Sequence, residues 1–286
     1  MSDPSIRVRG DLHGHTDWSD GRETLLTMAT AAIERGYEYW ACTDHSPRLT
    51  VAHGLSPERL ESQLRHIDDI NSQLAVLDPD GLSAPDGPSA PGGPGGPDGT
   101  GDPGGTGGPG VGGFRVLTGI EVDIFEDGTL DCPDELLSRL DVVVASCHRA
   151  FTQERSAMTK RLLTAATHPH VDILGHISNR KLWAKGYGKA RPESEFDHAE
   201  VFAACAQHHT AIELNSQAQR MDPPRPWVSE AAQFGCWFAL STDAHNVAEM
   251  DRMTHSVRRA EEAGVSPSRI LNGLPRGELL TWLGRV

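Results

Sequence analysis

Seven apolar runs in this 286-residue chain each stop at a polar, metal-competent cluster, and a helix-forming stretch follows each of them. The runs end in Asp11-Leu12-His13-Gly14-His15, Thr43-Asp44-His45, Gly119-Ile120-Glu121-Val122-Asp123, Ser146-Cys147-His148, Gly175-His176, Glu213-Leu214-Asn215 and Thr242-Asp243-Ala244-His245. Strands expected over 6–12, 39–43, 114–122, 141–146, 171–175, 211–215 and 237–241 alternate with helices over 22–35, from Ser56-Pro57 onward, and over 134–140, 158–166, 195–208 and 228–234. Further helices are expected from about Ala248 and Gly277. The helix after Ser56-Pro57 carries Leu60, Leu64, Ile67, Leu74 and Leu77 at helical spacing. Repeated β-then-α units imply parallel strands joined by right-handed crossovers. Seven of them predict an α/β barrel related to the TIM architecture, with an open doubly wound sheet as the alternative.

One stretch stands outside that pattern. Residues 78–113 hold half of the chain's 30 glycines, no Lys or Arg, and only Leu82 and Val111 as large apolar residues. Such a segment cannot bury enough surface to offset its ordering entropy. It is expected to be a disordered Gly/Pro-rich insertion in a single domain spanning 1–286, because the 77 residues before it end their strands in an incomplete set of histidines.

In a parallel barrel the C-terminal strand ends share one mouth, and side chains two apart on a strand share a face. His13 can therefore meet His15, and Asp243 can meet His245. The candidate metal ligands are His13, His15, Asp20, His45, Glu121, His148, His176, Asp243 and His245. Three or four protein ligands usually hold one catalytic zinc, so this set suits two or three divalent ions. Without ions, desolvation and repulsion would make such crowding costly. No cysteine stands among these residues and no CxxC pair occurs, so zinc, manganese or iron are the candidates. His66, His168, His170, His198, His208, His209 and His255 lie on expected helices or at the opposite strand ends and are read as structural.

These residues resemble the PHP family (polymerase and histidinol phosphatase domains). The matching motifs are Asp11-Leu12-His13-Gly14-His15-Thr16 with Ser19-Asp20-Gly21, Thr43-Asp44-His45-Ser46, Gly119-Ile120-Glu121-Val122-Asp123, Ser146-Cys147-His148, Gly175-His176 and Thr242-Asp243-Ala244-His245. The resemblance implies a distorted (β/α)7 barrel. It also implies one ion on His13, His15, Glu121 and Asp243, a second on Glu121, His148 and His176, and a third on Asp20, His45 and His245. Within the family the chain most resembles the PHP domain attached to bacterial family X DNA polymerases, through stretches such as Leu140–Ser146, Glu213-Leu214-Asn215 and Arg220-Met221-Asp222. The polymerase portion is absent from this sequence, so a free-standing domain is expected. His53 stands where that group usually shows Asn.

Clustered divalent ions activate a water to hydroxide and neutralise charge on phosphate oxygens. The expected activity is thus hydrolysis of a phosphomonoester, a nucleotide or small phosphorylated metabolite, by metal-activated hydroxide. No P-loop or GxSxG motif occurs, and no side chain is assigned as a catalytic acid or nucleophile. The alternative, implied by the polymerase-attached relatives, is a 3′–5′ exonuclease or 3′-phosphatase on single-stranded DNA. An amidohydrolase is disfavoured because none of these strands ends in Lys. A non-catalytic metal-stabilised protein is disfavoured by the full ligand set.

The formal charge of −14 makes non-specific nucleic-acid binding weak, so phosphate recognition must be local. The acid-free segment Asn179–Arg191 supplies Arg180, Lys181, Lys185, Lys189 and Arg191 after the fifth strand. Arg180, Lys181, Arg220 and His53 are the candidate substrate contacts, with Arg149 behind them. Trp18 and Trp183 are candidate stacking surfaces. No apolar run reaches membrane-spanning length, no secretory leader is evident, and the unpaired cysteines suit a reducing cytoplasm.

Overall fold

The computed structural model describes residues 6–77, 113–183 and 190–285. Its sheet runs β1 Gly10–Gly14, β2 Tyr39–Cys42, β3 Arg115–Asp123, β4 Val142–Ser146, β5 Ile173–Leu174, β6 Ala211–Asn215 and β7 Phe238–Ser241. All neighbours pair in parallel and in chain order. A parallel bridge between Gly14 and Ala244 joins the end of β1 to the chain just after β7. Backbone bonds from Asp243 N to His13 O (3.1 Å) and from His15 N to Ala244 O (2.9 Å) reinforce that seam. The result is a nearly closed (β/α)7 barrel.

The helices are α1 Leu25–Glu34, α2 Pro57–Leu77, α3 Asp134–Leu137, α4 Arg155–Ala166, α5 His198–His208, α6 Arg225–Gln233, α7 Met253–Ala263 and α8 Arg276–Trp282. Local chemistry sets their ends. Thr24 caps α1, its hydroxyl accepting from Thr27 N at 3.2 Å. Asp197 does the same for α5 through Glu200 N, so that helix begins three residues later than the apolar pattern suggested. Pro224 and Pro226 start α6 earlier than expected, since a proline in the first turn gives up no needed N–H.

The inward face of the sheet changes character along each strand. In β3 the same-side residues are Leu117, Gly119 and Glu121; in β6, Ala211, Glu213 and Asn215; along β7 and beyond, Ala239, Ser241 and Asp243. The N-terminal halves join Leu12, Tyr39, Ala41, Val142 and Val144 in an apolar plug that Leu271, Leu279 and Leu283 close from below. The C-terminal halves are polar and buried. A second core between the sheet and α1 and α2 is built on Trp40, Leu25, Met28 and Ile67. The segment 78–112 lies outside the described residues, as do Lys185 and Lys189, and the side chain of Leu77 is likewise not described.

Candidate metal centre

Glu121, at the end of β3, is the hub. Its Oε2 lies 2.9 Å from His45 Nδ1, 3.4 Å from His13 Nε2 and 3.6 Å from His15 Nε2. Its Oε1 lies 2.9 Å from His176 Nε2 and 3.3 Å from His148 Nε2. Five imidazoles from four strand ends thus face one carboxylate that is 1% exposed. Asp243 Oδ1 sits 3.2 Å from His15 Nε2 and 3.7 Å from His245 Nδ1. Asp20 Oδ1 completes the rim, 3.5 Å from His45 Nε2 and 3.4 Å from His245 Nε2.

Three groups bring one donor atom per residue within 4.8 Å of one another: His13, His15 and Asp243; His45, Glu121 and His148; and His15, Asp20, His45 and His245. His176 stands beside them through its contact with Glu121. Buried Nε2 of His13 and both ring nitrogens of His15 have no hydrogen-bond partner. Unpaired buried polar atoms are costly and rare. Here they face carboxylates in a cysteine-free donor set, which fits a borderline or hard divalent cation.

The surrounding carboxylates orient these ligands. Glu213, fully buried in β6, accepts a bond from His13 Nδ1 at 2.6 Å and further bonds from His176 N and Ser241 Oγ. A carboxylate behind a ligating imidazole fixes its tautomer and raises its basicity. Asn215 Nδ2 donates to Asp243 Oδ2 at 2.9 Å. Asp123 accepts from His148 N at 3.1 Å. Asp44 ties the loop carrying Asp20 to β2, accepting from Thr16 N at 2.8 Å, Gln63 Nε2 at 2.6 Å and Ser19 Oγ. These four residues sit inside the sequence motifs, yet nothing in the sequence distinguishes a ligand from the carboxylate that aims it. His176 and Asp243 have positive φ, 26° and 50°. Strained backbone at such positions persists only where surrounding contacts hold it.

The electrostatics match this geometry. Burial disfavours ionised Glu121, but the imidazoles of His45, His148 and His13 outweigh it and hold the carboxyl well below its ordinary range. Asp243 is depressed likewise, through the charge of His13 and the 3.2 Å contact with His15. Burial opposes charge on His148 too, yet Glu121 and Asp123 lift its pKa to about 9. His245 also rises to about 9, despite burial, through Asp20 and Asp243. His15 goes the other way, lowered by burial and by the charges of His245 and His45.

The mouth forms a cavity of about 310 Å³ in which Lys181, Arg191 and Arg220 face Glu121, His148, His176 and Asp243. The sequence singled out Lys181 and Arg220, whereas Arg191 entered only as one charge of its segment. Two expected contacts stand elsewhere. Arg180 is spent on the chain itself: its Nε donates to Arg220 O at 2.9 Å, and its other nitrogens reach Met221 O and Glu193. His53 ends a helical turn with φ 56°, is exposed and does not line the mouth. Arg149 is exposed and absent from the lining as well. Trp18 packs against the core and lies 6.0 Å from the His66 ring.

A parallel barrel with a histidine- and carboxylate-lined pocket at its strand ends offers a candidate site for divalent ions. The chain belongs to the PHP domain family, whose model matches residues 11–217. It is 33% identical over 280 residues to the DNA polymerase/3′-5′ exonuclease PolX of Bacillus subtilis, a match covering 98% of this chain and 41% of that relative. This chain therefore spans less than half of that protein. A protein of Shigella dysenteriae named as a probable phosphatase is 25% identical over 283 residues, covering 96% of this chain and 93% of its own. A solved structure from Listeria monocytogenes, assigned as a histidinol phosphatase, superposes with a TM-score of 0.58 at 15% identity. That superposition covers 85% of this chain and 97% of the other, and shows the shared barrel.

Proposed function

We propose that this protein is a metal-dependent phosphomonoesterase acting on a mononucleotide or another small phosphorylated metabolite. The observation that carries the reading is the placing of three cations opposite the metal-ligand set. Arg220 has a buried Nη1 with no partner. Burial, then the charges of Arg220 and Arg191, lower the pKa of Lys181. Burial and Arg220 bring Arg191 down to about 10. Mutually repelling cations gathered in a half-closed mouth form a site for an anion with several oxygens.

In this reading His13, His15, Asp20, His45, Glu121, His148, His176, Asp243 and His245 hold two or three divalent ions, zinc or manganese, with iron as a further candidate. Bound ions would supply an activated water and neutralise charge on the phosphate. Lys181, Arg191 and Arg220 bind the phosphate oxygens and fix the ester for in-line attack. Glu213 and Asn215 keep His13 and Asp243 in place. No side chain is assigned as the acid for the leaving group.

The phosphatase-named relative matches along nearly its whole length, which favours a monoesterase. The 3′–5′ exonuclease reading rests on PolX, of which this chain spans 41%. Among the described residues no helix is long and apolar enough to cross a membrane. The deciding experiment uses a 5′-labelled single-stranded oligonucleotide ending in a 3′-phosphate, with manganese- or zinc-loaded protein and Asp243→Ala as control. No reaction beside turnover of small phosphomonoesters supports the proposal, and loss of the terminal phosphate alone would keep the phosphomonoesterase but extend it to nucleic-acid ends. A ladder of shortened products, absent with Asp243→Ala, would overturn it in favour of the exonuclease.

A further inference from the structure

A second cavity opens beside the metal mouth. It measures about 220 Å³ and shares Asp20, Gln217, Gln219 and His245 with the first. Its remaining wall includes Trp183 and Arg22. A group bound there would be joined directly to a phosphate held at the mouth, which is where the leaving group of a phosphomonoester must lie.

Most of this wall is engaged, Glu249 accepting from His245 N at 2.9 Å and from Arg252 at 3.1 Å, whereas Trp183 and Arg22 have no side-chain hydrogen bond among the described residues. Trp183 is 47% exposed, and among the described residues no ring or guanidinium stacks on it. Its backbone is nevertheless held. Leu182 N donates to Gln219 O at 2.7 Å, and Lys181 pairs with Arg191 through two 2.9 Å bonds. The backbone leading to the indole is thus anchored on Gln219 and Arg191. Gln219 Nε2 donates to Gln217 Oε1 at 2.9 Å, which orients both carboxamides and leaves Gln219 Oε1 and Gln217 Nε2 for a ligand. Arg22 is exposed, and its guanidinium has no carboxylate or carbonyl partner in the described structure.

An aromatic face, an oriented acceptor and donor, and an unpaired guanidinium are the parts that recognise a planar, hydrogen-bonding heterocycle. Aromatic stacking on a base is worth roughly 1–3 kcal/mol and tolerates sequence. Glutamine amides pair with base edges. A purely aliphatic leaving group would leave the indole and both amides unused. We propose that this annex is a nucleoside subsite, and that the preferred substrates are nucleoside monophosphates with the base on Trp183. The inference rests on the phosphomonoesterase reading and narrows it.

The test compares the four common ribonucleoside 5′-monophosphates with ribose 5-phosphate, which carries the same ester on the same sugar without a base. The full-length chain loaded with manganese or zinc is used. At least one nucleotide is expected to exceed ribose 5-phosphate about tenfold or more in kcat/KM, the ratio that 1.4 kcal/mol of stacking produces. Trp183→Ala should bring that ratio toward one, mainly by raising KM for the nucleotide, and Trp183→Phe should keep most of it. Equal turnover of all five compounds by the wild type would overturn the subsite while leaving the phosphomonoesterase reading intact. So would a Trp183→Ala variant that retains the ratio. Failure of the loaded wild type to release phosphate from any of the five overturns the subsite, and the phosphomonoesterase reading falls with it if other small phosphomonoesters are left intact as well.

Discussion

At the scale of single residues, the centre depends as much on the groups behind the ligands as on the ligands. Glu213 contacts His13 Nδ1 at 2.6 Å and the backbone of His176, so it supports two candidate ligands at once. Glu213→Gln keeps the shape but removes the charge. It should weaken ion affinity about 10- to 100-fold, read by competition with a chelator of known affinity. A variant that binds ions as tightly as the wild type would show that Glu213 only fills space. The ion-free centre also carries protons that a cation must displace. His148 and His245, both held up to about 9, are protonated at neutral pH. Ion affinity should therefore rise with pH up to about 9 and level off above, because a site that has already lost its protons no longer pays them out on binding. Calorimetry in buffers of different protonation enthalpy should detect proton release at pH 7, and none at that pH would contradict the assignment. The candidate ligands stood out in the sequence because most of them recur at equivalent strand ends. Glu213 and Asp44 did not, since their roles follow from which atom faces a neighbouring strand. Arg180 misled because adjacency to a ligand strand says nothing about which way a side chain turns.

At the scale of elements, the seven parallel strands follow from the alternation of apolar runs and helical stretches. Their exact ends do not. The fifth strand contracts to Ile173–Leu174, and Gly175 follows it, packed where no side chain fits. A Cβ there would lie 2.2 Å from Ser146 Oγ and 2.8 Å from Val144 Cγ1. Overpacking of this kind costs about 1–3 kcal/mol. Gly175→Ala should lower the urea midpoint accordingly and, by displacing the neighbouring His176, reduce ion retention as well. A variant with unchanged midpoint and ion content would show that the strand end gives way without cost. The helix expected over 134–140 closes after Leu137. That difference is local and leaves the mouth untouched.

At the scale of the whole molecule, an apolar plug below and a polar, ion-ready mouth above share one set of strands, and no candidate ligand lies between α2 and β3. The insertion 78–113 is proposed as dispensable to both halves. Deleting 79–112 should leave ion content and kcat/KM within about twofold of the full chain, checked by elemental analysis and phosphate release. A collapse of either would make the segment part of the domain. The account as a whole stands on one coupling, between ions in the barrel mouth and cleavage of a phosphate ester. The direct measurement strips the full-length chain of metal, restores manganese or zinc in steps, and records bound ions and phosphate released from the nucleotide and ribose 5-phosphate panel in the same samples. The account predicts no release from the stripped protein, activity rising to a plateau at two or three ions per chain, and no recovery by Asp243→Ala. A chain that fills with ions yet releases no phosphate from any of these esters would contradict it.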